Sequence, residues 1–359
     1  MTLDQEWNEA TQTVVDGKTA YVVMADFARA RAAATADPDR IADLFLDEAT
    51  ALDWAGDFAG AARLSDEARR AGGAPDALRD ARLAMAEGRA RWRAGAAAAA
   101  VEPLDRAVEL AAGCGEDGYE TWVAALAMLG FLLPGVGDLD RAETCLARAL
   151  AGAEARRDQL HRAAVLNNRY VLWWMRGEVD LLAADLAEFT RIGRELGMPG
   201  NEYRGELNEA IHAQYLGRDA DAAAHAARAR ALEERMPDLF PNPSAALLLA
   251  QIAARRGLRE EAAAWLAPVR AAEPASPEER AIAWALERWL ADQLDPAPWI
   301  AAADRSAADG AAETGCELLE LLAVELARRG RADDARDLRR RAAALPGVPA
   351  FLAARLEAE

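Results

Sequence analysis

Small and apolar residues recur along this chain in a fixed frame around a glycine. The glycines are Gly17, Gly56, Gly95, Gly137, Gly177, Gly217, Gly257 and Gly330, with gaps of 39, 39, 42, 40, 40, 40 and 73 residues, the last fitting two shortened repeats. Five residues on stands Ala61, Ala100, Ala142, Ala222, Ala262 or Ala335, with Leu182 and Val22 in the copies led by Gly177 and Gly17. Twelve residues on stands Ala68, Ala107, Ala149, Phe189, Ala229, Val269 or Ala342. Each copy predicts two antiparallel helices. A glycine in the left-handed conformation stops the first, an Asp near the first turn of the second suits the helix dipole, and small inner residues let the pair approach closely. Self-similarity at this period marks a solenoid, and a solenoid offers an extended binding surface.

Turn residues divide the pattern into hairpins at about 40–73, 78–113, 120–156, 160–197, 202–236, 243–273, 276–309 and 314–344. The seventh lacks the glycine and carries Asp295-Pro296-Ala297-Pro298 at its turn; it reads first as a drifted repeat, and second as the place for a hinge. Residues 3–15 and 19–35 read as an atypical first hairpin within a terminal cap over 1–38, the repeats occupy 39–345, and an amphipathic capping helix closes 346–359. The run Tyr21-Val22-Val23-Met24 is strand-like in composition but lies in a helical pattern and is read as helix.

The frame resembles the tetratricopeptide repeat, whose signature has a Gly, an Ala five later and an Ala twelve later. Leu129-Gly130 stands where that family has its Leu-Gly pair before the turn, and Asn168 and Asn208, nine before Gly177 and Gly217, match a frequent Asn. The resemblance covers roughly 40–345 and implies an all-α, right-handed superhelical solenoid of about eight to nine helix hairpins. The usual period is about 34, against 39–40 here, as in long-repeat variants of bacterial signalling and transcription regulators. The resemblance also implies that the first helix of each pair lines a concave groove. Its candidate partner-binding residues are Arg82, Arg89 and Trp92, then Phe131, then Asn167, Asn168, Val171 and Trp174, then Arg204, Asn208 and Gln214, and last Gln251 and Arg255. Guanidinium and amide groups suit backbone and carboxylates, and aromatics give anchors. Asn168 and Asn208 have a second reading, as ties between neighbouring backbones. Trp173 and Trp174 must diverge on a helix, one toward the core and one toward the groove. Family members that grip a C-terminal carboxylate use lysines beside the Asn; here Arg89 and Arg204 would have to replace them.

Composition narrows the function. Hydrophobic residues make up 52% and aromatics 6%, an alanine-rich helical balance in which strand-like runs are nearly absent. Lys18, placed in a turn, is the single lysine, which with the Ala, Gly and Arg content points to a bacterial genome of high GC content. A net charge of −18 argues against a nucleic-acid partner. The basic spots Arg328-Arg329 and Arg339-Arg340-Arg341 alternate with Asp333, Asp334 and Asp337 and read as a self-neutralising helix face. The start of the chain does not read as a signal peptide, no apolar run of membrane-spanning length is evident, and the expected location is the cytoplasm.

Chemistry is sparse. His161, His212 and His225 have no second ligand at metal spacing, and His225 reads as a surface or packed residue. Cys114, Cys145 and Cys316 form no CxxC pair, and Cys145 is expected to be buried. No phosphate loop and no Gly-x-Ser-x-Gly elbow occurs. The expected function is a non-catalytic adaptor, without metal or cofactor, that binds a protein or peptide in its groove. A ligand-sensing regulatory module of a bacterial signalling or transcription system is the alternative, and an all-helical enzyme the third. Self-association through the end faces is compatible with each.

Overall fold

The computed structural model describes residues 17–55, 57–237, 239–272 and 276–358, and these are helical, with no strand among them. Helix α1 (Gly17–Ala34) precedes eight hairpins. They are α2 (Pro38–Ala55) with α3 (Phe58–Ala71), α4 (Ala77–Arg93) with α5 (Ala97–Ala112), α6 (Tyr119–Leu132) with α7 (Leu139–Arg156), and α8 (Gln159–Arg176) with α9 (Val179–Glu195). Next come α10 (Pro199–Tyr215) with α11 (Asp219–Arg235), α12 (Ser244–Arg255) with α13 (Arg259–Ala271), α14 (Pro277–Leu290) with α15 (Pro296–Ala308), and α16 (Ala312–Arg328) with α17 (Ala332–Ala343). A short α18 (Ala350–Ala358) follows, its Leu352 and Leu356 buried, where the capping helix was expected. The first helix of the expected N-terminal hairpin, 3–15, and the turn glycine Gly56 lie outside the described residues.

The sequence frame is the packing frame. Every residue five after a described turn glycine from Gly95 onward is buried, and so is every residue twelve after. The turn glycines hold φ between 71° at Gly217 and 86° at Gly137, the region that L side chains avoid. At Gly177 the turn closes by the amides of Gly177 and Glu178 returning to the carbonyls of Trp174 and Trp173, which satisfies the helix end. Aspartates cap the next helix: Asp138 accepts from the amide of Arg141, and Asp158 from that of His161.

A second contact recurs that the sequence frame only half revealed. A Cβ on Gly130 would lie 2.2 Å from the Leu146 side chain, and one on Gly88 would lie 2.6 Å from Leu104. Both glycines stand seven before a turn glycine and both leucines nine after it. The two helices of these hairpins meet there, with no room for a methyl group.

Three expectations are corrected. Lys18 lies in α1, not in a turn. Gly17 opens α1 rather than ending a described helix. Tyr119–Val136 does reach 18 residues at a mean hydropathy of 1.4, and 56% of it is buried inside the protein, the setting of a core helix. The seventh hairpin differs from the others in its turn and packing. Asp292 takes the left-handed conformation, φ 61°, in place of a glycine, Asp295 caps α15, and α15 packs more closely on α16 than on its own partner α14.

By internal contacts the chain divides into two compact units, Met1–Glu202 and Tyr203–Glu359, a division that the repeat register does not announce. The main core of the first unit runs from Met85 through Leu104, Leu126, Leu146 and Leu172 to Leu186. The second has a core around Ala213, Ala226, Leu249 and Ile252 and the fully buried Trp289 and Trp299. Within each unit, arginines stitch successive hairpins to carboxylates: Arg82 to Asp47 at 2.6 Å, Arg176 to Asp140 at 2.7 Å, Arg341 to Asp304 at 2.7 Å. Near the end of the chain Arg340 pairs with Asp337 and Arg336 with Asp333, each three residues away on α17 itself.

Candidate binding face

The first helices of three consecutive hairpins in the first unit each leave one stripe half-buried. On α6 it comprises Thr121, Ala124, Met128 and Phe131; on α8, Ala164, Asn167, Val171 and Trp174; on α4, Arg82, Ala86 and Arg89, with Trp92 beside them. The spacing of three and four residues places each stripe on one helix face, and the opposite face of α6 is buried at Val123, Leu126 and Gly130. Trp92 and Phe131 meet edge to face with ring centroids 5.6 Å apart, joining the stripes of α4 and α6. The Arg93 guanidinium sits 4.2 Å from the Trp92 ring and 3.8 Å from that of Phe58, a pair of cation–π contacts that fixes Trp92.

The polar members are already engaged within the unit. Arg82 pairs with Asp47 at 2.6 Å and Arg89 with Asp53 at 3.2 Å; burial pulls the Arg89 guanidinium below its ordinary value, and Asp53 opposes this. Asn168 donates its amide to the carbonyl of Ala127 at 3.0 Å. That is the backbone tie which the sequence left as its second reading. Asn167 donates to Asn168 at 3.4 Å, and its own Oδ1 is enclosed without a hydrogen-bond partner. Trp173 and Trp174 diverge: Trp173 is buried with its indole N–H on Asp185 at 2.8 Å, and Trp174 is half-buried on the stripe. Asp185 also accepts two bonds from Arg169 at 2.6 Å, a buried cluster with no counterpart in the sequence frame. Its one sequence signal is that Arg169 and Asp185 fall on the two helices of one hairpin.

In the second unit the candidates do not share one stripe. Arg204 is exposed and Asn208 half-buried, and Asn208 makes no tie like that of Asn168 among the described residues. Gln214 is buried, with its Oε1 enclosed and without a hydrogen-bond partner. Gln251 is buried and donates to Glu317 at 2.6 Å, and Arg255 pairs with Glu320 at 3.1 Å and Asp219 at 3.3 Å. Burial holds the Glu317 carboxyl above its usual range, against bonds from Tyr215 and Gln251. The Glu320 carboxyl stays below it, because Arg355 and Arg255 outweigh burial. Burial also pulls His212 down to about 4, helped by Arg218. His225 contacts Glu206 at 2.8 Å and Glu209 at 3.3 Å. Among the described residues no group of three or more His, Cys, Asp or Glu side chains is arranged to hold a metal ion.

No family model matches the chain, and no curated protein sequence does. Solved structures do. A Rap protein complexed with the competence and sporulation factor superposes with a TM-score of 0.69 at 13% identity, over 99% of this chain and 98% of that one. The protein has a tetratricopeptide-like helical-repeat fold. The apo form of RapI matches with a TM-score of 0.63 at 13% identity, over 94% of this chain and 98% of that one. The apo quorum sensor NprR from B. thuringiensis matches with a TM-score of 0.60 at 14% identity, over 96% and 97%. At these identities the likeness is one of fold.

Proposed function

We propose that this tetratricopeptide-like protein is a non-catalytic adaptor that binds an extended peptide on the first-helix face of its first unit. The observation that carries the reading is the set of aligned half-buried stripes, with Trp92 locked against Phe131 at 5.6 Å and Trp174 and Asn167 on the next first helix. Rigid aromatic rings supply contact area at small entropic cost. The paired Arg82 and Arg89 shape the face more than they charge it. One structural neighbour is bound to a peptide factor, which supports the same class of ligand.

The test is a pull-down from the lysate of the source organism, with wild type beside a Trp92→Ala, Asn167→Ala, Trp174→Ala triple variant of unchanged helicity. A partner retained by wild type and lost by the variant supports the reading. Equal retention by both would remove the face from it. A regulatory sensing module is the second reading, favoured by the likeness to a quorum sensor. Stabilisation of the protein in a thermal-shift screen of small metabolites and short peptides would support that role.

A further inference from the structure

Polar links between hairpins in this chain join residues about one repeat apart, as in Arg79 to Asp43 at 3.1 Å, Arg141 to Asp105, and Arg329 to Asp292. The second unit contains a set that reaches across two. Gln251 on α12 donates to Glu317 on α16 at 2.6 Å, and Arg255 on α12 pairs with Glu320 on α16 at 3.1 Å. Arg328 at the end of α16 donates to the carbonyl of Ala254 at 3.2 Å, and Arg259 at the start of α13 reaches Glu325 at 3.4 Å. Tyr215 of α10 also bonds Glu317. The first helix of the eighth hairpin therefore lies directly against the first helix of the sixth, and α14 packs on both.

Both sides of this seam are lined by hydrogen-bonding and charged groups. From α12 come Gln251, Arg255 and the Ala254 carbonyl, with Arg259 after them. From α16 come Glu317, Glu320, Glu325 and Arg328, flanked by Glu313 and Cys316. Asp219 of α11 shares Arg255, and Arg355 of α18 holds Glu320 at 2.7 Å. Water can replace each of these bonds when the seam parts, so each adds little net stability. At Glu317 enclosure costs desolvation that its bonds only partly offset, and burial raises its carboxyl accordingly, whereas the arginines around Glu320 and Glu325 outweigh burial there. The hairpin between the two helices is the one with a non-glycine turn, at Asp292, and with little packing between α14 and its own partner α15.

We propose that the seam between α12 and α16 is a conformational latch, in which Glu317 and Glu320 hold Gln251 and Arg255 and release them when the second unit opens about its seventh hairpin. The latch is independent of the peptide face on the first unit. A seam that only held the fold together would not open on its own while the flanking hairpin stayed protected.

The experiment uses the full chain and two variants. Gln251→Glu places a second carboxylate opposite Glu317. The Gln251→Leu, Glu317→Leu pair exchanges the polar bond for an apolar contact. Phenylglyoxal labelling of Arg255, read by peptide mass spectrometry, reports access to the latch, and amide hydrogen exchange over 244–255 and 312–328 reports its opening. In Gln251→Glu, labelling and exchange should rise at least about fivefold, with exchange over 219–235 unchanged. The leucine pair should fall below wild type in both. Wild-type behaviour in Gln251→Glu would overturn the latch, as would faster exchange throughout the second unit at once, or an opened leucine pair.

Discussion

The side-chain amide of Asn168 on α8 donates to the backbone carbonyl of Ala127 on α6 at 3.0 Å, tying two consecutive first helices together one repeat apart. The bond is part-buried, so its loss leaves a polar group without full compensation. Asn168→Ala should cost about 1 kcal/mol of unfolding free energy, read from urea denaturation at constant m-value. Asn208→Ala, without such a tie, should change it by less than about 0.5 kcal/mol. Equal losses at both would show that the tie is not what Asn168 contributes.

The close approach of Gly130 to Leu146 makes a sharper prediction about packing. Gly130→Ala forces a methyl group into a 2.2 Å gap and should destabilise by about 1–3 kcal/mol. Gly135→Ala, where nothing lies within 4 Å, is the control and should change stability by less than about 0.5 kcal/mol. Thermal melts of the two variants side by side decide it.

Much of this was legible in the sequence, for a physical reason. A hairpin interface that accepts only small residues writes itself as periodic Gly and Ala, and Gly95, Ala100 and Ala107 mark turn, contact and second contact in one copy. Gly88 escaped notice because its partner, Leu104, is an ordinary residue and only the 2.6 Å approach reveals the pair. The candidate face was legible only as residue types. Whether Arg82, Asn168, Gln251 or Arg255 faces a ligand or a neighbouring hairpin depends on which carboxylate or carbonyl arrives beside it. Those partners lie 35 to 66 residues away. The division at Glu202 left no mark in the repeat, because the frame around Gly217 is as regular as its neighbours.

Asp185 anchors Arg169 and the Trp173 indole in the first unit. Removing one partner of a buried pair strands the other. Asp185→Ala should therefore lose about 3 kcal/mol or more, whereas an exposed pair such as Arg63–Glu67 should lose less than about 1 kcal/mol on the same change. Chemical denaturation of both variants checks the contrast.

His212 sets a pH dependence. Burial lowers it from 6.5 to about 4 in the folded protein, so between those values the unfolded chain binds the proton that the folded chain refuses. The neutral imidazole's contribution is complete above about pH 6.5 and is lost as pH falls through 4, a change on the order of 3 kcal/mol. His212→Leu should flatten the stability profile over that window. A wild-type slope retained in the variant would assign the effect to other groups.

The central claim is that the stripe of Trp92, Phe131 and Trp174 receives an extended peptide. The most direct measurement selects binders from a random peptide display library on the wild-type protein and titrates the labelled winners by fluorescence anisotropy against wild type and a Trp92→Ala, Trp174→Ala variant of equal helicity. The account predicts selected peptides whose Kd weakens at least about tenfold in the variant, as two lost aromatic anchors require. Peptides that bind both proteins equally, or selections that enrich nothing, would contradict it.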